Sequence, residues 1–136
     1  MSRFVLDCSV TMSFLLPAQS TTYGQELFGR YKRWHALVPT LWEFEVSNVL
    51  VSQERRGRLG KSECDEMLEL LSGFNIERDS AEPGQIFKRV LPLARQFKLS
   101  SYDAAYLELA VRHRIPIATI DARLLEAAAL MGVKAA

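Results

Sequence analysis

The sequence predicts an α/β fold, a three-layer α/β/α sandwich around a central parallel sheet of about five strands. Two observations predict it. Short apolar runs alternate along the chain with longer segments whose apolar residues recur at helical spacing, which is typical of parallel strands joined by helices. The first run, Phe4–Leu6, is apolar at three consecutive positions, as expected for a central strand that helices cover on both faces.

The composition indicates a single globular domain, residues 1–136, with 49% hydrophobic residues and a formal net charge of +1. This balance of charge excludes a general polyanion-binding protein and still allows a local basic patch. Cys8 and Cys64 are too few for a disulfide framework, which favours reduced thiols in a cytoplasmic protein. Residues 1–16 do not resemble a secretory signal, and no apolar run approaches the ~20 residues of a membrane span.

The individual elements follow from apolar spacing and from helix-capping and turn residues. Strands are predicted at Phe4–Leu6, Ala36–Val38, Phe74–Glu77 (an edge strand), Ile115–Ile120 and Val133–Ala135. Helices are predicted at Tyr23–His35, Leu41–Arg56, Glu63–Ser72, Ala81–Phe97, Tyr102–His113 and Ala122–Met131. Val10–Leu16 is a short apolar segment that Pro17 ends, and Pro92 should kink its helix. Ser62 with Asp65 suggests a capping box.

Two aspartates follow predicted strands directly. Asp7 comes after Phe4–Leu6, and Asp121 comes after Ile115–Ile120. The carboxyl ends of parallel strands meet at one edge of a sheet, which is where ligands bind in open α/β folds. Each aspartate also has a structural alternative, because aspartate is a good N-cap for the helix that follows.

Glu45 lies on a polar stripe inside its predicted helix. At about 100° per residue, Glu45 shares this narrow stripe with Asn48 and Ser52, between apolar flanks. Glu43 belongs to a separate polar stripe that accounts for the solvent face. The enclosed stripe indicates a cleft lined with polar groups, with Glu45 as the functional acid; alternatively, Glu45 pairs with a buried arginine or lysine.

Asp103 lies in the first turn of its predicted helix. Ser100 followed three residues later by Asp103 matches a capping box, which is a structural role. Glu108 and Arg112 mark the predicted solvent face of this helix, so Asp103 points towards the core side near Tyr106. No lysine or arginine is placed on that face nearby in sequence, and a buried unpaired carboxylate is costly or shifts its pKa.

If these acids converge, their mutual repulsion requires a counter-charge. A divalent cation supplies it, and carboxylate and water oxygens suit Mg²⁺ or Mn²⁺. The histidines and cysteines show no zinc-binding spacing. Such a site can polarise a phosphodiester, activate water and stabilise the leaving oxygen.

The sequence resembles the PIN-domain family and, within it, the VapC-type ribonuclease toxins of type II toxin–antitoxin systems. The resemblance covers nearly the whole chain, and it rests on four segments taken together and in order: Val5–Val10, Pro39–Leu41 with Glu45–Leu50, Leu99–Leu107 and Ile117–Asp121. It implies a five-stranded parallel sheet, Mg²⁺- or Mn²⁺-dependent endoribonuclease activity, a homodimer, and a VapB-like antitoxin whose tail covers the active site.

By position, the resemblance implies an acidic catalytic and metal-binding set and a group of polar residues that supports it. The acids are Asp7, Glu45, Asp103 and Asp121, and the supporting residues are Ser9, Asn48 and Thr119. Water would attack in line and leave a 5′-phosphate and a 3′-hydroxyl. Cys8 departs from the family pattern, in which serine or alanine is commoner there.

A basic cluster follows the Glu45 helix: Arg55, Arg56, Arg58 and Lys61. These residues either contact RNA phosphates or complement the carboxyl end of the helix. Trp42 either stacks on an unpaired base or belongs to the core or an antitoxin groove.

Two other functions remain open at this level. The segment from Asp7 to Thr11 also resembles the aspartyl nucleophile motif of haloacid-dehalogenase-like phosphatases, although Ser9 replaces the second aspartate of that motif. A PIN-fold binding module that has lost catalysis is the other alternative, which the intact acids disfavour.

Overall fold

The computed structural model describes residues 2–136, apart from the side chain of Tyr31, and contains a parallel sheet of four strands. The strands are β1 (Ser2–Leu6), β2 (Trp34–Pro39), β3 (Ile76–Asp79) and β4 (Ile117–Ala118), in the order β3-β2-β1-β4. Val5 of β1 is paired with Leu37 on one side and Ile117 on the other. The predicted parallel sheet with β1 at its centre is therefore confirmed.

The helices are α1 (Cys8–Leu15), α2 (Thr22–Gly29), α3 (Leu41–Arg55), α4 (Lys61–Ser72), α5 (Leu91–Phe97), α6 (Ser101–His113) and α7 (Ala122–Leu130). Short 3₁₀ turns lie at Pro17–Gln19 and Tyr31–Arg33, and a π-helical turn at Ile86–Val90 precedes α5. Phe4, Val5 and Leu6 are all buried, which requires cover on both faces of the sheet. No helix within residues 2–136 has the length and apolar character needed to cross a membrane.

The predicted fifth strand, Val133–Ala135, is reduced to one parallel bridge between Ile117 and Ala135. Gly132, at φ +76°, turns the chain directly after α7. Beside this bridge, Ile117 donates its N–H to the carbonyl of Lys134 at 2.9 Å, and its own carbonyl accepts from the N–H of Ala136 at 2.9 Å.

The predicted helix Tyr23–His35 is wrong in its second half, because α2 ends at Gly29 and Trp34 begins β2. Trp34 pairs with Ser2 in the sheet, and its ring packs edge-on against Phe4 at 5.2 Å between centroids. Its indole N–H donates to the carbonyl of Leu27 at 2.9 Å. Pairing and aromatic packing thus outweigh the helical spacing that Trp34 shares with its neighbours.

The predicted helix Ala81–Phe97 begins late, with the π turn at Ile86. Pro92 then lies in the first turn of α5, directly after the π turn, so the regular helix is interrupted next to this proline. The capping box expected from Ser62 and Asp65 is also wrong. The helix begins two residues earlier, at Lys61, and the carboxylate of Glu63 accepts from the N–H of Gly60 at 3.2 Å.

Candidate active site

Asp7 directly follows β1, and its side chain is buried. Its side chain makes no capping hydrogen bond to α1, so the capping alternative does not describe it. Instead its Oδ2 accepts from the hydroxyl of Ser9 at 2.6 Å and from that of Thr119 at 2.6 Å. Asp7 is only 5% exposed, and burial raises the pKa of its carboxyl group even though both hydroxyl bonds lower it.

Ser9 and Thr119 connect Asp7 to the chain that follows β4. Beyond its bond to Asp7, the Ser9 hydroxyl accepts from the N–H of Ile120 at 3.3 Å, and the Thr119 hydroxyl accepts from the N–H of Asp121 at 3.1 Å. The two hydroxyls therefore hold the carboxyl ends of β1 and β4 in one hydrogen-bonded unit. Asn48, the third residue predicted to support the acids, lies exposed on α3, so the polar stripe is not enclosed there.

Glu45 is half-buried on α3, and its Oε1 accepts from the Tyr106 hydroxyl of α6 at 2.5 Å. Within residues 2–136 no lysine or arginine forms an ion pair with Glu45, so the alternative of a buried basic partner does not hold there. Burial raises the pKa of the Glu45 carboxyl group, and the charges of Asp7 and Asp103 raise it further. Tyr106 is a site residue that the sequence did not single out, although it lies one turn after Asp103 on the same face of its helix.

Asp103 occupies the first turn of α6, where its N–H donates to the Ser100 hydroxyl at 3.1 Å. Burial and then the charge of Asp121 raise the pKa of its carboxyl group. No basic residue was expected near Asp103 in sequence, and the one whose charge partly lowers this pKa, Arg123, comes from a distant part of the chain. Arg123 lies on α7, and its guanidinium donates to the carbonyl of Lys98 at 2.8 Å.

Asp121 does cap α7, as its structural alternative proposed. Its Oδ1 accepts from the N–H groups of Arg123 at 2.9 Å and Leu124 at 3.1 Å. Both of these bonds use Oδ1, and the charge of Asp121 still raises the pKa of Asp103. Asp121 can therefore cap α7 and still lie close enough to Asp103 to raise its pKa.

Electrostatic coupling connects the four acids across three helices and two strand ends. The charge of Asp103 raises the pKa of Asp7, and Asp7 and Asp103 both raise that of Glu45. In the described part of the chain, however, no three histidine, cysteine or acidic side chains lie close enough to form a ready-made metal cage. Mg²⁺ binds through one or two carboxylates and keeps several waters, so this oxygen-only donor set with its mutual repulsion fits a hard cation.

Cys8 and Tyr106 both remain protonated beside the acids. Burial, together with the charges of Glu45 and Asp7, raises the pKa of the Cys8 thiol to about 12, so it is not a thiolate nucleophile. Burial and the Glu45 carboxylate raise the pKa of Tyr106 as well, so its hydroxyl stays a donor. The departure from the family pattern at Cys8 leaves the acids unchanged.

Glu108 does not lie on the solvent face predicted for α6, whereas Arg112 is exposed as predicted. Glu108 is only 9% exposed, and its carboxylate accepts from Arg112 at 2.7 Å. Arg112 also pairs with Asp79 of β3 at 2.6 Å, so this face packs against the sheet edge and the chain that follows it. Helical spacing alone could not show that Glu108 would be buried and that Arg112 would pair with a strand distant in sequence.

Trp42 and the basic cluster lie outside the acidic site. Trp42 is 2% exposed and donates its indole N–H to the hydroxyl of Thr11 at 3.0 Å, so it belongs to the core and is not a base-stacking residue. The basic side chains are exposed on the end of α3 and the turn after it: Arg55, Arg56, Arg58 and Lys61. Arg55 follows Glu45 by ten residues, which is about 15 Å along the helix axis.

The sequence of most of the chain matches a known family. A family model of the PIN domain matches residues 4–130. The chain belongs to the PIN domain family. This confirms the family resemblance that the four sequence segments indicated.

Two individual proteins are similar to this PIN domain. Ribonuclease VapC3 from Pyrobaculum aerophilum is 28% identical over 124 residues, which cover 91% of this chain and 93% of the relative, and it supports the VapC type. The crystal structure of PAE2754 from Pyrobaculum aerophilum superposes with a TM-score of 0.69 at 21% identity, covering 93% of this chain and 79% of that chain. The structural likeness concerns the fold alone.

Proposed function

We propose that this PIN domain is a VapC-type endoribonuclease toxin that hydrolyses RNA phosphodiester bonds with Mg²⁺ or Mn²⁺ and is inhibited by a cognate VapB-like antitoxin. The observation that carries the proposal is the buried Asp7 carboxylate, which two hydroxyls hold and which is coupled to Glu45 and Asp103. Among residues 2–136 no ion pair compensates its charge. The similarity to Ribonuclease VapC3 supports RNA as the substrate.

A bound cation would polarise the phosphodiester and lower the pKa of a water molecule. The protein's part is to hold oxygen ligands in place. Ser9 and Thr119 orient one oxygen of Asp7, and the amino end of α7 orients one oxygen of Asp121. Tyr106 orients Glu45 through a hydroxyl that does not ionise near neutral pH. In-line attack of water would break the bond to the 3′-oxygen and leave a 5′-phosphate.

The test is incubation of purified protein with RNA in EDTA, in Mg²⁺ and in Mn²⁺, beside an Asp7→Asn variant. Asp65→Asn is the matched control, because Asp65 is an exposed aspartate on α4. We expect RNA cleavage only when a metal ion is present. The wild type and Asp65→Asn should cleave at equal rates, and Asp7→Asn should not cleave. Cleavage in EDTA, or cleavage that survives Asp7→Asn, would contradict the proposal, and a wild type that never cleaves would favour the non-catalytic module.

A haloacid-dehalogenase-like phosphatase fits the geometry less well. The nucleophilic aspartate of that mechanism needs an oxygen that reaches the phosphorus atom, whereas Asp7 is 5% exposed. Ser9 also stands where the acid–base aspartate is required, and it donates to Asp7. Borohydride trapping of a phosphoaspartate at Asp7 would restore this alternative.

The partners follow from the same proposal. The toxin would form a homodimer, bind its antitoxin across the acidic site, and act in the cytoplasm, where the buried free thiols of Cys8 and Cys64 stay reduced. Sedimentation equilibrium measures the dimer. Addition of the antitoxin encoded beside this chain should abolish cleavage at equimolar concentration.

A further inference from the structure

A cavity of about 560 Å³ lies beside the acidic site, and none of the four acids lines it. Its walls come from the segment 79–90, from Leu41 at the start of α3, and from the face of α6 that carries Tyr102 and Glu108. This volume is within the range of small-molecule sites, about 300–1,000 Å³. The mechanism described above does not use it.

The cavity and the acidic site are both built in part from α3 and α6. Leu41 precedes Glu45 by four residues on α3, and Tyr102 precedes Tyr106 by four residues on α6. Residues four apart are neighbours on one helix face, about one turn of 5.4 Å along the axis. Because Tyr106 donates to Glu45, α3 and α6 meet at the acidic site one helical turn from Leu41 and Tyr102, which line the cavity.

The walls suit a nucleobase. Leu41, Ile86 and Val90 supply apolar surface, and the Tyr102 side chain stands at the rim with 63% of its surface exposed. Gln85 lines the same space and can both donate and accept hydrogen bonds. Single-stranded RNA is bound in this way, by stacking of splayed bases on aromatic side chains and by contacts to base edges.

The cavity lining carries three acids, Asp79, Glu82 and Glu108, and two arginines, Arg89 and Arg112. Arg89 is the arginine of this lining that can still bind a phosphate. Arg112 is neutralised by Asp79 and Glu108. Arg89 lies 4.0 Å from a Glu108 carboxylate that already accepts from Arg112, and its side chain is 50% exposed. Its guanidinium therefore keeps donors free for an anion, and phosphate is the anion that arginine binds in a bidentate way.

We propose that this cavity binds one unpaired nucleotide of the RNA next to the scissile phosphate, with its base stacked on Tyr102 and its phosphate on Arg89. The proposal rests on the proposed endoribonuclease function and names where that substrate is held. A base inside a duplex is stacked and paired, so the cavity selects single-stranded RNA.

The test measures binding separately from cleavage. The full chain carrying Asp7→Asn is titrated with fluorescently labelled single-stranded RNA in Mg²⁺, and anisotropy gives the affinity. Tyr102→Ala should weaken binding by about 5- to 150-fold, the usual effect of losing one stacked base. Phe87→Ala is the matched control, because Phe87 is 76% exposed and does not line the cavity, and it should bind like the parent.

The phosphate contact has its own measurement. Arg89→Gln should reduce the slope of log affinity against log salt concentration by about 0.7, the value for one phosphate of a single strand. Arg95→Gln is the control, an exposed arginine of α5 that does not line the cavity, and its slope should equal the parent's.

A series of RNAs, each with one abasic nucleotide at a different position, identifies which base binds in the cavity. At one position the abasic RNA should bind the parent more weakly, and this difference should disappear in Tyr102→Ala. Equal losses at every position, or a difference that persists in Tyr102→Ala, would overturn the proposal. So would parent-like binding by both Tyr102→Ala and Arg89→Gln.

The failures of the two proposals are distinguishable. If the wild type cleaves RNA but the cavity variants bind it like the parent, the nucleotide site is wrong and the endoribonuclease stands. If the variants lose affinity as expected but the wild type never cleaves, the nucleotide site stands and the endoribonuclease proposal is wrong. Sedimentation equilibrium of Tyr102→Ala supplies the last check, because a shift from dimer to monomer would identify the cavity as a self-association surface and overturn the nucleotide site.

Discussion

Replacing Asp7 by asparagine should stabilise the protein in the absence of metal. Both hydroxyl donors, Ser9 and Thr119, bond to the same oxygen, Oδ2. An asparagine whose carbonyl oxygen takes that position keeps both hydrogen bonds and loses the charge. Because Asp7 is 5% exposed and the charge of Asp103 opposes its ionisation, the charge is a net cost in the folded state.

The expected gain in the free energy of unfolding is on the order of 1–3 kcal/mol in EDTA near neutral pH, since part of a several-kcal/mol desolvation cost is recovered by the hydroxyl bonds. The pKa of Asp7 is raised in the folded state. Between the unfolded and folded pKa values the folded state binds more protons, so wild-type stability falls as pH rises through that window. The advantage of Asp7→Asn should therefore be full above the folded pKa and vanish below the unfolded value of about 3.8.

Urea unfolding in EDTA across this pH range measures the effect, with Asp65→Asn as the exposed control. Mg²⁺ should reverse the order. Wild type should gain about 4.1 kcal/mol at a metal concentration one thousand times its Kd, which exceeds the advantage of the variant, and Asp7→Asn should gain little. A variant less stable than wild type in EDTA near neutral pH, or a difference that does not shrink in acid, would refute the reasoning.

Three further changes test the supporting residues. Thr119→Val removes one of the two hydroxyl hydrogen bonds that orient the Asp7 carboxylate. It should weaken Mn²⁺ affinity by about 10- to 100-fold in calorimetry. Unchanged affinity would show that this hydrogen bond does not orient Asp7. Tyr106→Phe removes a bond that lowers the pKa of Glu45, so this pKa should rise and the acidic limb of the pH–rate profile for RNA cleavage should move to higher pH, whereas an unmoved limb would contradict this coupling. Arg112→Gln leaves the Glu108 carboxylate without its closest partner and should lower the free energy of unfolding by about 1–2 kcal/mol, a value reduced for the partial exposure of the pair; wild-type stability in urea would contradict this.

The sequence predicted an element correctly where the residues of that element alone determine its structure. Three consecutive apolar residues before Asp7 predicted the central strand, and Ser100 before Asp103 predicted the start of α6. Asp121 shows that a structural and a functional interpretation of one residue can both apply. Its capping bonds use one carboxylate oxygen, and its charge still acts on Asp103.

The sequence failed where partners distant along the chain decided the outcome. Trp34 has helical spacing, but its pairing with Ser2 places it in a strand. Glu108 and Arg112 have the spacing of a surface ion pair, but Asp79 of β3 holds Arg112 against the sheet edge. The hydrogen bond from Tyr106 to Glu45 joins residues 61 positions apart, and no local pattern encodes such a contact.

The central claim is that acids from separate parts of the chain form one site for a divalent cation. The most direct measurement is the binding of Mn²⁺ by calorimetry, with competition by Mg²⁺, to the wild type and to four variants that neutralise the acids singly: Asp7→Asn, Glu45→Gln, Asp103→Asn and Asp121→Asn. We expect the wild type and Asp65→Asn to bind Mn²⁺ alike, and the four variants to bind it more weakly. Wild-type affinity in the Asp7→Asn variant would contradict the account.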